Sequence, residues 1–210
     1  MTRKRPALAT SKPSNPFQMP SVQTMVSRKS SITNAFVNSV IPVFPPTGDE
    51  ISSALSILGM EATDLRCVYC GDQASEWDHL RPLVVKRRPT GYVSEIANLV
   101  PSCGKCNQSK GNKDWRTWLS SNARLSPTTR GIANLQQRIE RLEQYVRWRE
   151  PRVMDFESIL GKELWAEYWE SCEQMVSALK KSQELADRLK AIVVKSCSIS
   201  RESRETGRRE

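Results

Sequence analysis

Apolar positions along this chain switch between helical and strand spacing, and the switches divide it. A short helix fits Ser31 to Ile41; Pro42 ends it and Pro45-Pro46 forces an extended link. Thr47-Gly48-Asp49-Glu50 then opens a second helix as a capping box, in which Thr47 caps a backbone amide and Glu50 reaches back. Ile51, Leu55 and Leu58 line one face of that helix, and Gly59 suits its C-cap. Beyond it the helical period stops. Glu76-Trp77-Asp78-His79-Leu80-Arg81-Pro82-Leu83 reads as a short strand, Lys86 to Gly91 as a basic loop, and Ile96 to Val100 as the return strand of a hairpin. From about Cys103 the chain can turn helical again, with Asn107 and Lys110 on one face. Trp115 and Trp118 are expected to pack that part against the core.

Two longer amphipathic helices follow. Ile132, Leu135, Ile139, Leu142 and Val146 repeat at three-four spacing to about Arg149, and Pro151 stops the run. A second run from about Phe156 to Val194 carries Leu164, Tyr168, Met175, Leu179, Ala186 and Leu189. Consecutive helices of this kind predict a hairpin. Its apolar stripe serves either to pack on the chain's own core or to form a homodimer. The ends lack periodicity, and residues 1–28 and 196–210 are expected to be disordered. Between them the chain divides into an N-terminal helical segment (29–62), a central core (63–122) and a helical hairpin (128–195). The fold class is α+β.

Composition narrows the setting. The chain has 210 residues, of which 38% are hydrophobic, and its mean hydropathy is −0.53. No apolar run reaches the roughly 18 residues of a membrane helix, and the first residues lack the apolar core of a secretory signal. The expectation is a cytoplasmic protein without membrane contact, in whose reducing surroundings paired cysteines hold metal rather than form disulfides. The net charge of +9 is unevenly placed. Residues 1–30 carry bases and no acid, residues 31–65 carry acids and no base, and the cysteine-bearing block is basic again. A basic site beside a basic tail points to a polyanion partner.

Chemistry concentrates in that block. Four of the 6 cysteines form two C-x-x-C pairs, Cys67/Cys70 and Cys103/Cys106, a spacing that brings four thiolates to one tetrahedral, structural Zn²⁺. A zinc ribbon that merely scaffolds, or binds DNA, accounts for these cysteines but not for Asp78, for His79, which is the one histidine, or for Asn107. Asp78 and His79 point to opposite faces of a regular strand, so they share a site only where the strand bends, bulges or ends. The sequence leaves that geometry open. Cys172 reads as a small buried apolar residue and Cys197 lies in a polar tail, so neither needs a metal. Arg81, Lys86, Arg87 and Arg88 lie between the two strands and are expected to contact the polyanion, with Lys110 and Lys113 as further phosphate contacts.

The order C-x-x-C, Asp78-His79, Asn98, C-x-x-C-Asn107 resembles the HNH endonucleases, whose fold is ββα-metal, with Asn in place of the final His. It is similar in particular to the recombination endonuclease VII branch and to HNH-type restriction enzymes, where four cysteines surround the same hairpin. The resemblance runs from Cys67 to Lys113 and is silent about the flanks. It implies that His79 is the general base, that Asp78 and Asn107 hold one Mg²⁺ or similar cation, and that Asn98 restrains the loop that aims His79. The chemistry is sensible in itself: a neutral imidazole accepts a proton at pH 7, and a carboxylate with an amide oxygen suits Mg²⁺. Asn107 directly follows Cys106, so zinc ligation also sets the start of the metal-binding helix. The activity implied is metal-dependent DNA hydrolysis by a type II restriction-like enzyme. The alternatives are a structure-selective or nicking endonuclease on branched DNA and a non-catalytic zinc-dependent DNA-binding module.

Overall fold

In the computed structural model, which describes residues 20–206, two antiparallel strands sit at the centre: β1 (Glu76–His79) and β4 (Leu99–Ser102). They pair Trp77 with Pro101 and His79 with Leu99. Between them a second, smaller hairpin joins β2 (Val84–Val85) to β3 (Arg88–Pro89). Its turn is Lys86-Arg87, both at positive φ (50° and 65°), so the expected basic loop is a tight two-residue turn with two cations at its tip. The return strand is shifted from its expected span. Ile96–Asn98 form a 3-10 turn and pairing begins at Leu99, because the buried Asn98 bonds main chain across the loop and the Tyr145 hydroxyl donates to Leu99 O at 2.9 Å.

Seven helices surround the strands among the described residues: α1 (Lys29–Val40), α2 (Gly48–Leu58), α3 (Gly104–Lys110), α4 (Trp115–Leu119), α5 (Leu135–Trp148), α6 (Phe156–Leu160) and α7 (Lys162–Thr206). The capping box at the start of α2 is formed, with Glu50 N donating to Thr47 Oγ1 at 3.3 Å and Thr47 N donating to Glu50 Oε2 at 2.8 Å. Gly59 closes α2 at φ 64°, the left-handed conformation that only glycine adopts cheaply. Asp114 caps α4 through Thr117 N at 2.9 Å, and Asp155 caps α6 through Ser158 N at 3.1 Å.

Two apolar clusters result. One joins α2, the strands, α4 and α5 around Leu80, Val100, Trp118, Leu142 and Tyr145. The other joins α1, α7 and the loop between β1 and β4 through Val37, Leu83, Val93, Phe156 and Trp169. The expected C-terminal hairpin therefore takes another form: α5 packs on α2, whereas α7 packs on α1. The run expected from Phe156 to Val194 is also broken, since Gly161 sits at φ 85° between α6 and α7. The expected disorder of residues 1–19 and 207–210 lies outside the described residues. Residues 25–28, by contrast, form a 3-10 turn whose Met25 N donates to Gln183 Oε1 at 2.6 Å, and α7 continues through residue 206.

Candidate active site

The four cysteines of the two pairs converge. Their sulfurs all lie within 4.8 Å of one another, and Cys67, Cys70, Cys103 and Cys106 are all buried. Cys70 and Cys103 Sγ are 3.6 Å apart, close to the about 3.8 Å edge of a tetrahedron with 2.3 Å Zn–S bonds. The donor set and its spacing fit a closed, structural zinc site. Thiol hydrogen bonds from Cys106 and Cys70 hold Cys67 below the usual thiol range, and the same contacts push Cys106 above it. Arg130, which the sequence reading did not single out, reaches in from the segment before α5, its guanidinium 3.3 Å from Cys106 Sγ and 3.2 Å from Asp72. Cys172 is buried in the second apolar cluster and Cys197 is exposed.

β1 is regular through His79, so its side chains alternate. Glu76 and Asp78 face α3. Asp78, 5% exposed, accepts from the Tyr69 hydroxyl at 2.5 Å and from Lys110 Nζ at 3.1 Å. Lys110 is fully buried and also donates to His79 O at 2.8 Å. Asn107, one turn earlier on α3, donates to Glu76 Oε2 at 2.7 Å. Gly104 makes room for this contact, because a Cβ there would lie 2.8 Å from Glu76 Oε1. Burial pushes Asp78 up, against the pull of Lys110, and burial pushes Lys110 down. Asp78, Glu76 and the carbonyl of Asn107 are the oxygen donors a hard divalent cation takes. A cation held there would share Asp78 with the Lys110 ammonium.

His79 turns to the other face with Trp77. Its Nε2 lies 2.8 Å from Ser94 Oγ. Burial, with the Lys110 charge behind it, holds the imidazole down to about 4, so it is neutral at pH 7. Asn98 clasps the residue two places on, its Oδ1 accepting from Arg81 N at 2.8 Å and its Nδ2 donating to Arg81 O at 3.0 Å. Beside this face lies an apolar cavity of about 380 Å³, with Trp77, Ser94, Ile96, Leu99 and Pro101 in its wall.

The expected DNA contacts divide. Lys86 is exposed, Lys113 lies near the surface with Nζ 2.8 Å from Ser109 O, and Arg81 keeps one buried, unpaired guanidinium nitrogen against the Tyr92 ring. Arg87 and Arg88 both pair with Glu173 of α7. Lys110 does not face solvent at all, since α3 turns it inward onto Asp78.

Residues 67–113 match the HNH endonuclease family. The matched segment thus spans both C-x-x-C knuckles, both central strands and α3, and the molecule is an α+β chain with helices at both ends. Over 101 residues the chain is 30% identical to the CRISPR-associated endonuclease Cas9 of Corynebacterium diphtheriae. That alignment covers 46% of this chain and 8% of the relative. No solved structure matches the chain.

Of the residues that sequence reasoning missed, Glu76 was within its reach, two places before Asp78 and hence on the same strand face. Tyr69, inside the first C-x-x-C, and Ser94 carry no local signal. Their roles come from chain closure.

Proposed function

We propose that this protein is a metal-dependent endonuclease that hydrolyses phosphodiester bonds in double-stranded DNA. The observation that carries this reading is the placing, inside the HNH segment, of a neutral imidazole on the last residue of β1, with a buried carboxylate on the strand's other face against the helix bearing Asn107, so that the two meet one phosphate round the end of the strand. His79 takes the proton of the attacking water; the new P–O bond forms as the bond to the 3′ oxygen breaks, leaving 5′-phosphate and 3′-hydroxyl ends. Asp78 and Asn107 would hold a divalent cation such as Mg²⁺, with Glu76 behind Asn107, and such an ion would supply positive charge to the phosphate and the leaving oxygen. Asn98 sets the main chain after His79. Lys86, Lys113 and Arg81 contact phosphates, and Arg87 and Arg88 do so by exchanging Glu173 for the backbone. Zinc is structural, and the protein works in the cytoplasm.

Within this reading the enzyme is restriction-like. Each chain has one such site, so cutting both strands takes two copies, and Leu185, Leu189, Ile192 and Val193 on the outer part of α7 are exposed apolar residues suited to a homodimer. The second reading, a nicking or structure-selective enzyme, is favoured by the same single site acting alone. A plasmid digest with Mg²⁺, using the intact chain and His79→Ala, tests both. Discrete linear bands support the restriction-like reading and open circles support nicking. Binding without cutting by the intact chain leaves a zinc-dependent DNA-binding module.

A further inference from the structure

Ser94 lies outside every motif of the sequence, 15 residues from His79, yet it is the side chain that meets the imidazole. Its position is set by main chain on both sides. Phe44 N donates to Ser94 O at 2.9 Å, Ser94 N donates to Pro42 O at 3.3 Å, and Val43 bridges Ser94 in parallel fashion. Val93 and Glu95 are buried on either side of it, and Glu95 accepts from Arg152 N at 2.5 Å. The link between α1 and α2, which precedes the HNH segment, thus holds the residue that touches His79.

The two imidazole nitrogens are unequal. Nε2 has Ser94 Oγ at 2.8 Å, whereas among the described residues no group bonds Nδ1. Nδ1 is also not among the sealed polar atoms without a partner, so it opens to solvent. A neutral imidazole carries one N–H, and the Ser94 oxygen offers Nε2 an acceptor at hydrogen-bond distance while Nδ1 stays free for water. We propose that Ser94 is a positioning residue for His79: its hydroxyl oxygen accepts the Nε2–H, which fixes that tautomer and leaves Nδ1 as the nitrogen that takes the proton. This rests on the reading of His79 as the general base.

His79 is the one histidine of the chain, so histidine-selective ¹⁵N labelling of the full-length, zinc-loaded protein gives a single imidazole pattern. The wild type shows a proton on Nε2 and none on Nδ1. Ser94→Ala shows the two tautomers averaged, and Ser94→Thr, which keeps the hydroxyl, restores the wild-type pattern. The main-chain bonds to Pro42 and Phe44 are independent of the side chain, and the wild-type spectrum decides even if the alanine variant folds poorly. A proton on Nδ1 in the wild type, or an unchanged pattern in Ser94→Ala, overturns the proposal. In plasmid cleavage with Mg²⁺, Ser94→Ala loses about 10- to 100-fold in kcat with KM unchanged, as expected of a misdirected base, and Ser94→Thr recovers it. A kcat unchanged in Ser94→Ala also overturns it. If the wild type cuts no DNA, the nuclease reading falls, while the spectrum still decides whether Ser94 holds the ring.

Discussion

The two faces of β1 are built on opposite principles. Toward α3, Asp78, Lys110 and Tyr69 satisfy one another with almost no solvent, and Glu76 pairs with Asn107 half-buried beside them. On the other face Trp77 is 56% exposed and His79 has a single side-chain partner, Ser94. Asp78 and His79 are adjacent in the chain, yet the first sits in a nearly sealed electrostatic network and the second stands at an edge. Lys110 on the sealed face is expected to cost mainly stability when substituted, and His79 mainly activity.

Removing zinc is the harshest test, because both faces hang from the same knuckles. A structural zinc site of this class contributes about 10–16 kcal/mol in small peptides, as much as the whole stability of an ordinary domain. Chelation or Cys106→Ser is expected to melt β1, β4 and α3 together, read as lost amide-exchange protection across 67–113. Protected strands in zinc-free protein would separate the site from the clamp.

Next in size come two substitutions that exchange one loss for the other. His79→Ala lowers cleavage by about 10²- to 10⁴-fold while the thermal midpoint stays within a few degrees. Lys110→Met, which strands the Asp78 carboxylate in the interior, costs about 3–5 kcal/mol in denaturant unfolding. If His79→Ala unfolds the protein, or Lys110→Met leaves the unfolding midpoint in place, the contrast between the faces is wrong.

The pH dependence is gentler. His79 has its pKa held from 6.5 down to about 4 in the folded chain. As pH falls below 6.5 the unfolded chain takes up the proton first, so stability is full above pH 6.5 and is lost toward pH 4, by at most about 3 kcal/mol. Urea midpoints at pH 7.5 and 4.5 should differ more in the wild type than in His79→Gln; equal differences would mean that the imidazole is better solvated than its surroundings indicate. The smallest effect is expected at Trp77. Trp77→Thr changes a half-exposed strand position and should cost less than about 1 kcal/mol, against several for Val100→Ala across the ladder.

What was legible in the sequence was chemistry that acts over a few residues. The cysteine spacing, the Thr47 capping box and the Gly59 cap each need only neighbours, and the structure forms all of them. The phase of the second strand was not legible, since Asn98 and Tyr145 set it from afar. Lys110 read as a phosphate contact because nothing local shows that α3 presses that face onto β1. The partners of α5 and α7 were hidden for a similar reason: an amphipathic stripe says that a face is buried, not against what. Gly161 broke a helix that the apolar spacing alone runs straight through.

The 45 residues of α7 have a consequence for handling and for reach. At 1.5 Å per residue such a helix is about 68 Å long, the length of roughly 20 base pairs of duplex. A rod of this length attached to a small body slows diffusion more than its mass would, so gel-filtration volume alone overstates the number of chains. Light scattering counts them correctly.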